Sequence, residues 1–167
     1  DTNSTNLTAH TIAPVNTLGG NWTVVTDTSG AFDIQSNKAN VSTGSGRLGA
    51  YMDCLAGNEA GTGTVNVTPS ANFNNQGAIL RLTGQADYWK AVCHASSNLF
   101  RIVEVTGGGE TVRASTSVTI TTGTTYAIIF TVSGNDFEAT LDGANTLNYT
   151  STVRNTATKH GFGGGPA

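Results

Sequence analysis

The side chains with most scope for chemistry in this 167-residue chain are four glutamates, seven aspartates, three histidines and two cysteines. Glu59, Glu104, Glu110 and Glu138 each stand alone on their segment. Cutting a glycosidic bond usually takes two carboxylates about 5 to 10 Å apart, one as acid and one as nucleophile or base. No two glutamates share a segment, so catalysis is not expected. Neither His94 nor His160 sits in a nucleophile elbow or triad signature. Two Cys and three His at these spacings make no zinc motif. A calcium site wants six to eight oxygens, and Asp33, Asp53, Asp87 and Asp142 are so dispersed that only folding could gather them. The metal question stays open, and no cofactor is expected.

The elements that position these residues follow from composition. Only 11% of residues are charged, and 28 Thr, 16 Asn, 12 Ser and 21 Gly supply a polar surface instead. Thr loses rotamer freedom on a helix while Asn and Gly favour turns, so strands joined by tight turns are expected and long helices are not. A net charge of −3 with singly scattered Lys and Arg argues against nucleic acid, whose binding rests on clustered cations. The longest apolar run, Tyr126 to Phe130, is far short of a membrane span, so no membrane insertion is expected. The length suits a single domain spanning residues 1–167, with 1–14 as an extended N-terminal arm. The chain begins at Asp1 without a basic or apolar leader, which fits a chain either processed or cut from something longer and is compatible with secretion.

Alternation and short β-branched runs predict eleven strands: 21–26, 32–35, 47–55, 63–69, 78–82, 88–94, 99–105, 111–114, 125–132, 136–141 and 147–153. Turn clusters such as Asn74-Asn75-Gln76-Gly77, Gly107-Gly108-Gly109 and Asp142-Gly143 separate them. With no helices between strands, the class is all-β, two antiparallel sheets packed as a sandwich. Alternation predicts Ala78, Leu80 and Leu82 facing the core with Arg81 and Thr83 outward. On the next strand Trp89, Ala91 and Cys93 face in, and Tyr88, Lys90 and His94 face out. Trp22 and Trp89 are read as packing anchors.

Paired as a hairpin, these two strands set Arg81 beside Tyr88, Lys90 and His94, and Tyr51 and Asp53 could extend the patch. An aromatic ring beside planar polar groups is what a shallow sugar-binding face needs; the same residues also fit an ordinary solvated sheet face. Cys54 and Cys93 both fall on apolar parity, which allows a disulfide or two buried thiols. A bridge would close a loop of about 40 residues, contributing about 4 kcal/mol in the chain-entropy model. Six Asn-x-Ser/Thr sequons, at Asn3, Asn6, Asn21, Asn40, Asn66 and Asn148, hardly exceed the number this composition generates by chance.

Several segments together resemble one family. They are Leu7-Thr8-Ala9-His10-Thr11 with Leu18-Gly19-Gly20-Asn21-Trp22-Thr23, Phe32-Asp33-Ile34-Gln35-Ser36-Asn37-Lys38-Ala39, and Gly77-Ala78-Ile79-Leu80-Arg81-Leu82 leading into Asp87-Tyr88-Trp89. Gly123-Thr124-Thr125-Tyr126, Val132-Ser133-Gly134-Asn135, Leu141-Asp142-Gly143 and the closing Lys159-His160-Gly161-Phe162-Gly163 complete the set. In this order the chain resembles the concanavalin A-like, LamG-type jelly rolls of bacterial surface proteins, carbohydrate-active enzymes and phage virion proteins. The resemblance implies a two-sheet jelly roll with one concave and one convex sheet, in a superfamily where structural calcium is common. Glucanases of this fold carry a Glu-x-Asp-x-x-Glu strand, which is missing here. Fold alone leaves function open.

Two functions fit these readings. The first is a non-catalytic carbohydrate-binding or adhesion module at a cell or virion surface, or outside the cell, with a glycan or cell-surface polysaccharide as partner. The second is a structural subunit of a virion or extracellular fibre, with copies of itself or other virion or fibre proteins as partners. Sheet edges with few charges and a pairing N-terminal arm would drive that self-assembly.

Overall fold

Alternation is clearest from Tyr126 to Ser133, where Tyr126, Ile128, Phe130 and Val132 are buried and the residues between them are not. That period of two makes a strand with one face on a core. In a computed structural model, the backbone is described over residues 23–26, 31–35, 38–43, 48–53, 60–70 and 75–165, and side chains over 61–70 and 75–164.

The described residues form thirteen strands: β1 (Thr23–Thr26), β2 (Ala31–Gln35), β3 (Lys38–Thr43), β4 (Leu48–Asp53), β5 (Ala60–Val67), β6 (Asn75–Gly84), β7 (Asp87–His94), β8 (Leu99–Thr106), β9 (Gly109–Ser117), β10 (Tyr126–Ser133), β11 (Asp136–Leu141), β12 (Asn145–Thr150) and β13 (Lys159–Gly165). Seven make an antiparallel sheet in the order β1-β4-β13-β6-β7-β8-β9, four a second in the order β12-β11-β10-β5, and β2 pairs with β3. The two larger sheets bury one core, in which Ala78, Leu80, Trp89, Ala91, Phe100 and Ile102 of the first meet Ile128, Phe130, Phe137 and Leu141 of the second. Fully burying each large apolar side chain contributes about 1.5 to 3 kcal/mol. Trp89 is the anchor its parity predicts. Its ring lies 4.6 Å from Phe137 and 5.6 Å from Tyr149, and Nε1 donates to the Val153 carbonyl at 3.3 Å.

The all-β, two-sheet expectation holds. Two strands were not expected. β3 follows β2 after two residues, and β13, with the sequence KHGFGGG, lies in the middle of the larger sheet between β4 and β6. Glycine is poor at stabilising a strand, yet a central position supplies hydrogen bonds on both sides. Trp22, Cys54 and the residue 1–14 arm lie outside the described residues.

One face assignment is corrected. Arg81 is not outward: it is fully buried, its guanidinium 4.9 Å from the Phe137 ring centroid and Nη2 donating to the Gly134 carbonyl. Leu82 leaves the inter-sheet core and joins Ile79, Tyr88, Val92, Val103 and Val105 in a second apolar cluster on the opposite face. The cause is a bulge. Between the pairs Leu80–Trp89 and Gly84–Asp87, four steps along β6 answer to two along β7, and Arg81 takes the left-handed conformation at φ 52°. Against β13 the excess is a single residue, three steps from Ile79 to Leu82 answering two from Gly161 to Lys159, and one extra residue reverses the in-out phase beyond it.

Candidate functional site

The register separates the six residues expected to share a patch. Tyr51 and Asp53 are in β4, opposite Gly161 and Lys159 of β13, and their side chains lie outside the described set. β4 stands three strands from β7, about 14 Å at the usual strand spacing. Arg81 points between the sheets. Tyr88, Lys90 and His94 do share one face, but Tyr88 and Lys90 are buried, with Lys90 Nζ 2.7 Å from Glu110 Oε1. Of these three only His94, at the end of β7, reaches solvent to any extent.

His94 opens a tight connection. A 3₁₀ turn over Ala95–Ser97 ends at Asn98, which adopts the left-handed conformation at φ 54° and donates its backbone N–H to the Ala95 carbonyl at 3.3 Å. Asparagine tolerates that conformation better than most residues. The Asn98 side-chain Oδ1 accepts from Ile120 N at 2.9 Å, and its carbonyl accepts from Val118 N at 3.0 Å. The turn is thus tied to a second segment, so its side chains are held in place rather than sampled.

Two of those side chains converge on His94, and one of them links it to Arg101. Ser97 Oγ lies 2.7 Å from His94 Nδ1, Ser96 Oγ lies 3.3 Å from the same atom, and Arg101 Nη2 donates to Ser97 Oγ at 2.7 Å. Arg101 can only donate, which leaves the Ser97 proton for His94 Nδ1. That suits a neutral ring. Burial, then the charges of Arg101 and Lys90, hold the His94 pKa below its ordinary value of 6.5, with Glu110 opposing. Asn75 faces His94 directly across the β6–β7 ladder, and Ser115 of β9 faces Arg101 across β8–β9. Ser96, Ser97 and Ser115 are exposed. The corner can accept and donate hydrogen bonds at several fixed points, with one cation at its centre.

Ser96, Ser97, Arg101 and Asn75 were absent from the expected patch. The sequence signal for them is the short polar turn after His94, which brings the start of the next strand alongside it.

The opposite end of β7 and β8 is also charged, but saturated. Glu104 Oε2 accepts from Arg113 at 3.0 and 2.7 Å, and Oε1 accepts from Arg154 Nη1 at 3.3 Å and Thr106 at 3.4 Å. Arg154 Nη2 also donates to Asp87, to the Val105 carbonyl and to Thr106. This is a clasp holding the 153–156 turn against β8. Among the described residues no three His, Cys, Asp or Glu side chains gather where they could hold a metal ion. Cys93 is a buried free thiol; burial, with a contribution from Asp142, pushes its pKa up from 9.0 to about 12.

No protein-family model matches the chain, and no curated protein matches its sequence. Its fold does match. The chain is similar to the carbohydrate binding module CBM66 from Bacillus subtilis, with 17% identity, 85% of this chain and 84% of that chain covered, and a TM-score of 0.68. It has a jelly-roll sandwich fold of the concanavalin A-like kind. Weaker likenesses are to chicken galectin 2, at 12% identity over 62% of this chain and 78% of that one, and to Caenorhabditis elegans galectin LEC-6, at 13% over 65% and 81%, each with a TM-score of 0.44. Among the described residues no helix is long and apolar enough to cross a membrane.

Proposed function

We propose that the chain is a non-catalytic carbohydrate-binding module, working in adhesion outside the cell or on a cell or virion surface. The observation that carries this reading is the polar corner in which His94, Ser96, Ser97 and Arg101 are held by one rigid turn. Preset donors and acceptors lower the ordering cost of binding a hydroxyl-rich ligand. Its likeness over most of both chains to CBM66, a carbohydrate binding module, supports the same reading. Both oxygens of Glu104 are engaged by guanidinium groups, unlike the free acid that glycosidic cleavage requires.

The test is a glycan array with the whole chain, followed by titration of hits. Binding of a defined glycan at micromolar to millimolar affinity is expected, with Ser97→Ala and His94→Ala each weakening it about tenfold, the usual worth of one lost hydrogen bond to a ligand. Failure to bind any glycan at millimolar concentration overturns the reading.

A further inference from the structure

Arg101 stands out among the described cations of this face. Lys90 has Glu110. The Arg101 guanidinium has no carboxylate partner among the described residues. Its one hydrogen bond goes to a neutral hydroxyl, Ser97 Oγ, while its Nε is buried with no hydrogen-bond partner. Across the sheet, facing His94, Asn75 is 5% exposed and its Oδ1 is likewise buried with no partner. Polar groups removed from water normally find partners, and a charged group left without one is costly. Here an orphaned cationic donor and an orphaned neutral acceptor lie on the same face, on either side of His94, beside two exposed serines.

That combination has a chemical complement. A guanidinium whose Nη2 is fixed can still present Nη1 and its second Nη2 proton to an anionic oxygen pair, the end-on geometry in which Arg binds carboxylates. An amide oxygen accepts from a hydroxyl. A ligand that offers both an anionic oxygen pair and hydroxyl donors is a sugar bearing a carboxylate. We infer that the corner formed by Asn75, His94, Ser96, Ser97 and Arg101 is a subsite for a carboxylated sugar, with Arg101 taking the carboxylate and Asn75 a ring hydroxyl. This rests on the carbohydrate-binding reading and narrows it. The serines supply secondary donors, and His94, kept neutral chiefly by burial, contributes polarity without adding a second repelling cation.

The experiment is calorimetric titration of the full chain with oligogalacturonate, oligoglucuronate and a sialyl oligosaccharide, each beside its methyl ester. Esterification keeps the ring and removes the charge. At least one free acid is expected to bind about tenfold tighter than its ester, since a charge-assisted hydrogen bond is worth roughly that or more. Arg101→Gln should erase the difference between acid and ester. Arg101→Lys, which keeps charge but loses the planar fork, should recover part of it. Thermal melting of each variant checks folding; if Arg101→Gln does not fold, Ser97→Ala, which frees the guanidinium from its anchor, is expected to shrink the acid preference about threefold, as partial loss of a neutral hydrogen bond would. Equal binding of acid and ester overturns the carboxylate subsite and leaves sugar binding standing. Binding of neither overturns the carboxylate subsite, and the glycan array decides sugar binding separately. Inorganic sulfate bound as tightly as the oligosaccharides marks an ion site and overturns the sugar assignment.

Discussion

The Arg81 guanidinium lies 4.9 Å from the centroid of the Phe137 ring, wholly inside the sandwich and with Nε and Nη1 unpartnered. A cation over an aromatic face gains about 0.5 to 2 kcal/mol, and Nη2 gains the Gly134 carbonyl. Against this stand two orphaned donors on a desolvated charge, and burial accordingly holds the Arg81 pKa below its usual value. Replacing a buried charge with an apolar side chain of similar length is often neutral or stabilising. Arg81→Met is therefore expected to match or exceed the parent in urea denaturation, by up to about 2 kcal/mol. A loss above that size would mean the guanidinium has partners that outweigh its desolvation.

Gly77 and Gly63 make a matched pair of tests. A Cβ at Gly77 would lie 1.7 Å from the Ala91 carbonyl oxygen, whereas one at Gly63 would meet nothing closer than the Leu80 side chain at 3.7 Å. The first contact is with backbone of the neighbouring strand and has no soft side chain to yield. Gly77→Ala should therefore force β6 and β7 apart and destabilise by more than about 3 kcal/mol, beyond ordinary overpacking. Gly63→Ala should stay within about 0.5 kcal/mol of the parent. Similar melting temperatures for the two variants would show that the close approach at Gly77 is not what holds the ladder.

These cases show how much of the fold could be read from residue order. Where side chains alternate without interruption, as along Tyr126–Ser133, strand and face were both legible. Face failed at Arg81, because alternation assumes a constant phase and nothing in Leu80-Arg81-Leu82 announces a left-handed arginine. The strand at Lys159–Gly165 was hidden because its glycines carry no hydrophobic signal; hydrogen bonds to both neighbours hold it. That omission also undid the expected patch, since β13 inserts between β4 and β6 and carries Tyr51 and Asp53 away from β7. His94 was named as a candidate from strand parity, but the partners the structure gives it belong to a turn and to a ladder register that sequence spacing does not encode.

Cys93 offers a chemical check on the core. Its thiol is fully buried beside the inner face and its pKa is pushed up to about 12. Only the thiolate reacts readily, so native protein at pH 8 should leave Cys93 unmodified by a thiol reagent, with rapid labelling once urea unfolds the chain. The raised value also fixes a direction in alkali. The unfolded thiol loses its proton above about 9 while the folded one keeps it, so stability is full below pH 9 and falls as pH rises toward 12. A Cys93→Ser variant should lack that part of the alkaline decline. Prompt labelling of the native protein would contradict the burial.

His94 gives the opposite direction in acid. Its folded pKa lies below 6.5, chiefly through burial and then through Arg101 and Lys90, while Glu110 pulls the other way. The neutral ring, accepting from Ser97, is the form the fold holds. Above pH 6.5 both folded and unfolded chains keep the ring neutral and the contribution is complete. As pH falls below 6.5 the unfolded chain takes up a proton that the folded site resists, so stability declines and goes on declining until the folded pKa is passed. Urea midpoints at pH 7.5 and pH 5 should therefore separate more for the parent than for His94→Asn, whose amide oxygen can accept from Ser97 at either pH. An equal drop in both proteins would place the acid sensitivity elsewhere.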